Sequence, residues 1–217
     1  MVRLVRAPWS TNVERVALAL AHKGVEVESV VISYSDRTKA IELSGQGLVP
    51  VLDDGGTVVA DSRRILRHLE ATRPDPPLFP SDPCRRAGLE VFMEWFDEVW
   101  KGPPNAMADA IDEGRADRDE IARQAARMDA WQDVFEDFLS GVAEAPGLAG
   151  CAPMSSDYLL GEFSAADCLA YPFLRYGALT ESPDDETFHH VLIEHLTVEG
   201  RPNLAAWIEL MDERPRV

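Results

Sequence analysis

The sequence predicts a small mixed α/β domain followed by an all-helical domain. Three observations carry this expectation. Strand-like and helix-like patterns alternate over the first seventy-odd residues, a proline-dense stretch follows, and every apolar periodicity beyond it is helical. The divisions expected are 1–75 for the first domain, 76–84 for a linker and 85–217 for the second.

Val2 to Val5 is a short run rich in β-branched residues and reads as a strand. Val13, Val16, Ala17, Leu20 and Ala21 then recur at helical spacing, and Gly24 supplies the stop. Val25 to Ile32 alternates toward apolar residues as a second strand, and Asp36 to Leu43 suits a short helix. Two apolar runs flank Asp54-Gly55-Gly56, which is a hairpin signal, and Ser62 opens a helix with Ile65, Leu66 and Leu69 on one face. A hairpin after a βαβ unit makes a mixed sheet. Pro74, Pro76, Pro77, Pro80 and Pro83 remove backbone donors from the stretch RPDPPLFPSDPC, which reads as an inter-domain linker. Beyond it, one stripe is formed by Leu89, Phe92, Trp95, Phe96, Val99 and Trp100, and another by Ile121, Ala125, Met128, Trp131, Phe135, Phe138 and Leu139. A helix from Ala165 to Leu179 is apolar nearly all round and should be buried, and a last one runs through Leu204, Trp207, Ile208 and Met211.

The 217 residues, 46% hydrophobic and 27% charged, are enough for a substantial core. With 38 carboxylates against 21 basic residues the net charge is -17, which repels phosphate backbones and argues against a nucleic-acid partner. The acidic DAIDEGRADRDE reads as a solvated helix end or loop. The first ten residues lack the apolar stretch of a signal peptide, and no segment approaches the roughly 18 to 20 apolar residues of a membrane span. Cys84, Cys151 and Cys168 are odd in number and widely spaced, so a reduced, cytoplasmic protein is expected. The five histidines lack metal-ligand spacing, and His189, His190 and His195 read as surface or capping residues.

The chemistry concentrates in LVPVLDDGGTVVADSRRILRHLE, Leu48 to Glu70. A cis peptide at Val49-Pro50, ahead of a strand, would turn the chain sharply and leave the backbone of Val49 free to pair with a ligand. Asp61-Ser62 stands where the next helix begins, and helix N-termini present free amides and partial positive charge to a carboxylate. Taken singly, these residues are better read as Pro50 shaping a loop and Asp61 or Ser62 capping a helix. Upstream, APWSTNVERV places Ser10 and Thr11 at the start of the first helix. Thr11 to Glu14 is a T-x-x-E capping box, which makes Thr11 the expected cap and leaves Ser10 facing the space ahead of the helix.

Together these stretches closely resemble the glutathione S-transferases, which pair a thioredoxin-like domain with an all-helical one. The resemblance spans nearly the whole chain, through Arg15-Val16, Leu18-Ala19-Leu20, Lys23-Gly24, Val49-Pro50, Asp61-Ser62, the S-x-x-D box of Ser164 and Asp167 with Phe163 as a hydrophobic staple, and the ending RPNLAAWIELMDERP. It implies glutathione as co-substrate, with Val49 pairing its cysteinyl part, Ser62 holding its γ-glutamyl carboxylate and Asp61 meeting the ammonium. It also implies a cytosolic homodimer acting on a small electrophilic substrate, and a folding role for Ser164 and Asp167. The family's catalytic position falls on Ser10, a serine and not a cysteine, which implies thiolate activation in place of thiol-disulfide exchange. Thr11 or Asn12 are the alternatives.

Departures bear on the site. Many members carry a lysine just before the VP dipeptide to meet the glycine carboxylate; here the position is Leu48, so Lys39, Gln46 or another residue must replace it, or another thiol is used. Pro8 and Trp9 flank the reactive position, and Trp100 and Met107, with Pro103 and Pro104, are candidates to line the electrophile's pocket from the helical domain. Each is more often a packing residue than a substrate contact. Two other functions compete with conjugation. One is isomerisation as in the zeta class, although that class begins this segment with a Ser-Ser-Cys type sequence and this chain has Ser10-Thr11-Asn12. The other is non-catalytic binding, supported by the loss of the lysine.

Overall fold

The computed structural model describes residues 1–141 and 156–217, and these divide into two compact units, Met1–Phe79 with Arg214–Val217, and Pro80–Glu213. The last four residues therefore group with the first unit, although the sequence assigns them no pattern of their own.

The first unit runs β1 (Val2–Arg6), α1 (Thr11–His22), β2 (Val27–Val31), α2 (Thr38–Ser44), β3 (Val51–Asp54), β4 (Thr57–Ala60) and α3 (Ser62–Thr72). The sheet order is β2-β1-β3-β4, with β1 parallel to β2 and antiparallel to β3, and β3 antiparallel to β4. The mixed topology expected from the sequence is present. Gly55 and Gly56, with φ of 62° and 103°, make the turn that only residues tolerant of positive φ close well. Alternation along the strands gives the sheet two apolar faces. Val5 and Val51 join Ala7, Ile32 and Ala40 of α2 in one core cluster, while the paired Leu4 and Leu52 are also fully buried.

The proline-rich stretch is held down rather than loose. Lys23, its side chain buried, donates from Nζ to Glu70 Oε2 at 2.7 Å, Pro76 O at 2.6 Å and Pro74 O at 3.3 Å. Glu70 Oε2 in turn accepts from Leu78 N, and Leu78 is buried.

The second unit contains, among the described residues, α4 (Pro83–Trp95), a π-helical turn (Phe96–Trp100), α5 (Gly102–Asp112), α6 (Arg118–Ser140), α7 (Ala165–Leu174), a 3-10 turn (Arg175–Ala178), α8 (Thr187–His195) and α9 (Pro202–Asp212). Asp82 caps α4 and Pro83 takes its first turn, where a missing N–H costs nothing. The stripe read from Leu89 to Trp100 breaks at the π turn, which shifts the helical register and leaves Val99 40% exposed. Phe96 and Trp100 stack at 4.6 Å beside Phe135 and Phe173. Every residue of α7 is buried, and Asp167 completes the capping box with Ser164. Asp167 also accepts from Leu159 N at 3.0 Å and Trp207 Nε1 at 2.9 Å, so one carboxylate ties α7 to α9 and to the preceding turn.

Two sequence expectations are corrected. Cys84 is disulfide-bonded, because distance along the chain does not set distance in space; Cys168 is free and buried, and Cys151 lies outside the described residues. His189 is not a surface residue but is buried, stacked on Tyr176 and bonded through Nδ1 to Asp184 at 2.8 Å. No group of metal ligands forms among the described residues, and none of their helices is long and apolar enough to cross a membrane.

Candidate functional site

Strand register brings the site residues of the first unit to one end of its sheet. Val51 pairs with Val5 and with Ala60. The segment entering β3 (Val49-Pro50), the residues leaving β4 (Asp61-Ser62) and the loop leaving β1 toward Ser10 therefore share that end. Three sequence-distant motifs become neighbours because two antiparallel partners, β1 and β4, flank the same short strand β3.

The Val49-Pro50 peptide is cis, and Pro50 is buried while Val49 is half-buried. No bond from the backbone of Val49 appears among the turn, loop and cap hydrogen bonds of the described residues, which leaves its N–H and C=O for a ligand.

Ser10 corrects the expected division of labour at α1. The helix cap is Ser10 itself, extended at φ -63° and ψ 113°, with Oγ accepting from Val13 N at 3.4 Å. Thr11 is instead the first helical residue and is buried. The capping box looked complete from Thr11 because its Glu14 partner is present, but Glu14 N bonds to Ser10 O and the Glu14 carboxylate pairs with Arg216. A hydroxyl has one proton and two lone pairs, so Ser10 can accept from Val13 and still donate its proton outward.

Asp61 caps α3, accepting from Arg64 N at 3.1 Å, and it holds φ 78°, a conformation a non-glycine residue adopts only where its surroundings impose it. Ser62 is 4% exposed, and its Oγ accepts from Arg15 Nη1 at 3.2 Å. Arg15 has no exposed surface at all. Arg15 is part of the Arg15-Val16 match to the family but has no role assigned from the sequence; the available signal was a cation set directly against the apolar run Val16 to Ala21.

The other candidates separate. Gln46 is spent on its neighbour: Oε1 accepts from Leu48 N at 2.6 Å and Nε2 donates to Leu48 O at 3.0 Å. Lys39 is exposed and pairs with Glu42 at 3.1 Å. Arg37, not singled out from the sequence, lies nearer, donating from Nη1 to Gly47 O at 3.2 Å and stacking over the Tyr34 ring at 4.8 Å. Tyr34 donates its hydroxyl to Pro8 O at 3.0 Å, fixing the loop that presents Trp9, which is 59% exposed at φ 62°. Trp9 and Pro8 thus have surface to offer a ligand. Trp100 and Met107 do not, being 0% and 1% exposed; each is taken up by the apolar packing of the helical unit, as aromatic and thioether side chains in a helix stripe usually are.

The glutathione S-transferase N-terminal domain model matches residues 4–77. The Escherichia coli K12 glutathione S-transferase GstB is 25% identical over 215 residues, 96% of this chain and 91% of that one. A probable maleylacetoacetate isomerase of Caenorhabditis elegans is 38% identical over 74 residues, 34% of this chain and 35% of its own. Among solved structures, glutathione S-transferase III in its apo form is 27% identical, with a TM-score of 0.68 covering 99% of this chain and 92% of that one. Residues 4–77 thus match the N-terminal domain of the glutathione S-transferases, and the chain with its thioredoxin-like first unit and helical second unit is similar over nearly its whole length to members of that family, which use glutathione as co-substrate.

Proposed function

We propose that the protein is a glutathione transferase in which Ser10 stabilises the thiolate of glutathione for attack on a small hydrophobic electrophile. The observation that supports this best is the convergence, at one sheet end, of a hydroxyl with a spare proton, an unpaired Val49 backbone just before a cis peptide, and the Asp61-capped start of α3 at Ser62. Val49 pairs with the cysteinyl unit, Ser62 donates to the γ-glutamyl carboxylate, and Asp61 meets the ammonium. The thiol of glutathione loses its proton to solvent, the sulfur attacks the electrophilic carbon, and the displaced group leaves with its electron pair.

Magnitudes favour a donor over a base. A free cysteine thiol titrates near 8.5, so lowering it by about two units needs roughly 2.7 kcal/mol of preference for the anion. A hydrogen bond to a charged group contributes about 1.5 to 3 kcal/mol, and a helix N-terminus adds about 0.3 to 1 kcal/mol. Ser10 keeps its own proton and is no nucleophile. The electrophile meets Pro8 and Trp9, and the protein works as a cytoplasmic homodimer.

The test is glutathione binding at millimolar concentration and conjugation of a generic aryl halide, followed by the pH profile of turnover in Ser10→Ala. The variant should lose about tenfold or more in rate near neutral pH, and its profile should move to higher pH. An unchanged profile removes Ser10 from the mechanism. A second reading, isomerisation, is favoured by the 38% identity to the probable maleylacetoacetate isomerase over 74 residues. It predicts turnover of maleylacetoacetate without net consumption of glutathione. Binding with neither activity would leave a glutathione-binding protein without catalysis.

A further inference from the structure

We propose that Arg15 is a positioning residue that makes the glutathione site selective for the γ-glutamyl carboxylate by fixing the polarity of the Ser62 hydroxyl. This rests on the reading of Ser62 as the contact to that carboxylate. Arg15 lies on α1 with no exposed surface, and its Nη1 donates to Ser62 Oγ at 3.2 Å across to the first residue of α3. A serine hydroxyl is ambivalent, able to accept from a ligand ammonium or amide as readily as it donates to an anion. Accepting from a guanidinium occupies one lone pair of the oxygen and sets a positive charge behind it, which disfavours a second, cationic donor and polarises the O–H toward an anion. Ser62 is itself almost wholly buried, so the hydroxyl is not free to satisfy itself with bulk water. The free amides at the start of α3 act in the same direction.

The fixed cation also answers a problem of the whole chain. At a net charge of -17, an anionic peptide is repelled at long range, and the attraction has to be local. Arginine suits this role because its planar fork holds direction where an ammonium would be a point charge. Arg15 acts on the ligand through Ser62, and so it is a positioning residue and not a catalytic one.

The experiment is calorimetric titration of wild type, Arg15→Met, Arg15→Lys, Ser62→Ala and the Arg15→Lys/Ser62→Ala double variant. Two ligands are used, glutathione and 4-aminobutyryl-cysteinyl-glycine, which lacks only the γ-glutamyl carboxylate. Thermal melts establish which variants fold. Wild type should prefer glutathione. Arg15→Met should reduce that preference about tenfold or more while leaving the analogue's affinity unchanged, and Arg15→Lys should reduce it by a smaller factor. In the Ser62→Ala background, Arg15→Lys should change nothing further. Where Arg15→Met does not fold, the lysine variant alone decides. Equal weakening of both ligands, or the full arginine effect surviving in Ser62→Ala, overturns the proposal. A wild type that binds both ligands equally overturns the carboxylate reading itself, and Arg15 with it, which separates the two failures.

Discussion

Ser10 carries two duties on one side chain, and substitution can separate them. Its oxygen accepts from Val13 N at the long distance of 3.4 Å, while its proton is the group proposed to meet sulfur. Alanine removes both, costing about 1 kcal/mol of helix capping besides the donor. Aspartate is the informative change, because it caps a helix as well as serine but offers a like charge in place of a donor. Ser10→Asp is expected to melt within a few degrees of wild type and yet raise the glutathione thiol pKa further than Ser10→Ala does. Ultraviolet absorbance of the thiolate against pH checks this; a lower pKa in the aspartate variant would refute a donor role. Leu48, 72% exposed beside the cis peptide, offers the complementary gain. With Gln46 closed on its backbone and Lys39 paired to Glu42, Leu48→Lys restores a cation ahead of Val49. Affinity for glutathione should rise a few-fold at low salt, and the gain should fade as salt screens an exposed charge. Titration at two ionic strengths reads it.

At the scale of elements, the hairpin and α3 are fastened by Asp54, which accepts from Arg73 Nη1 and Nη2, both at 2.8 Å, and from His68 Nε2 at 2.8 Å. The Arg73 hydrogen bonds hold its carboxyl far below the usual carboxylate range, against a smaller opposing effect of burial. Because the folded pKa is depressed, the stabilisation is complete above the unfolded value near 3.9 and is lost as pH falls below it. Asp54→Asn should therefore be less stable than wild type at neutral pH, with the gap narrowing only as pH falls below about 4, as chemical denaturation between pH 7 and about 2 would show. How legible such fastenings are depends on their range. The α3 cap, the Gly55-Gly56 turn and the Ser164–Asp167 box rest on residues within three or four positions, and the sequence displayed them. The same locality misled at Thr11, where a T-x-x-E pattern and the competing Ser10 cap differ by one residue and only the extended backbone at Ser10 decides. Arg15 to Ser62 and Asp167 to Trp207 span 47 and 40 residues, and no spacing rule announces a hydrogen bond made across the fold. Trp100 and Met107, both buried, show a related limit: an aromatic or methionine at helical spacing looks the same from the sequence whether it faces a ligand or a core.

Across the whole molecule, charge is the property that local contacts do not absorb. The 38 carboxylates exceed the 21 basic residues, so even complete pairing leaves an excess of 17 negative charges repelling one another. Many of the cations are committed to particular acids: Arg201 to Asp129 and Asp133, Lys23 to Glu70, Arg216 to Glu14, and Arg3 to Asp53. Two effects of salt then oppose each other. Screening weakens the exposed pairs, each worth about 1 kcal/mol or less, and it also weakens the longer-range repulsion of the excess charge. The two differ in range. At about 0.01 M salt the screening length is roughly 30 Å and the excess charges act on one another through the molecule, whereas at 0.15 M it is about 8 Å and only neighbours interact. Pairs in contact near 3 Å lie inside both lengths and change little. The melting temperature should therefore rise between those two ionic strengths, with most of the gain below 0.15 M. Calorimetric scans in a salt series at neutral pH measure it, and a steady fall with salt would mean that the contact pairs outweigh the excess charge.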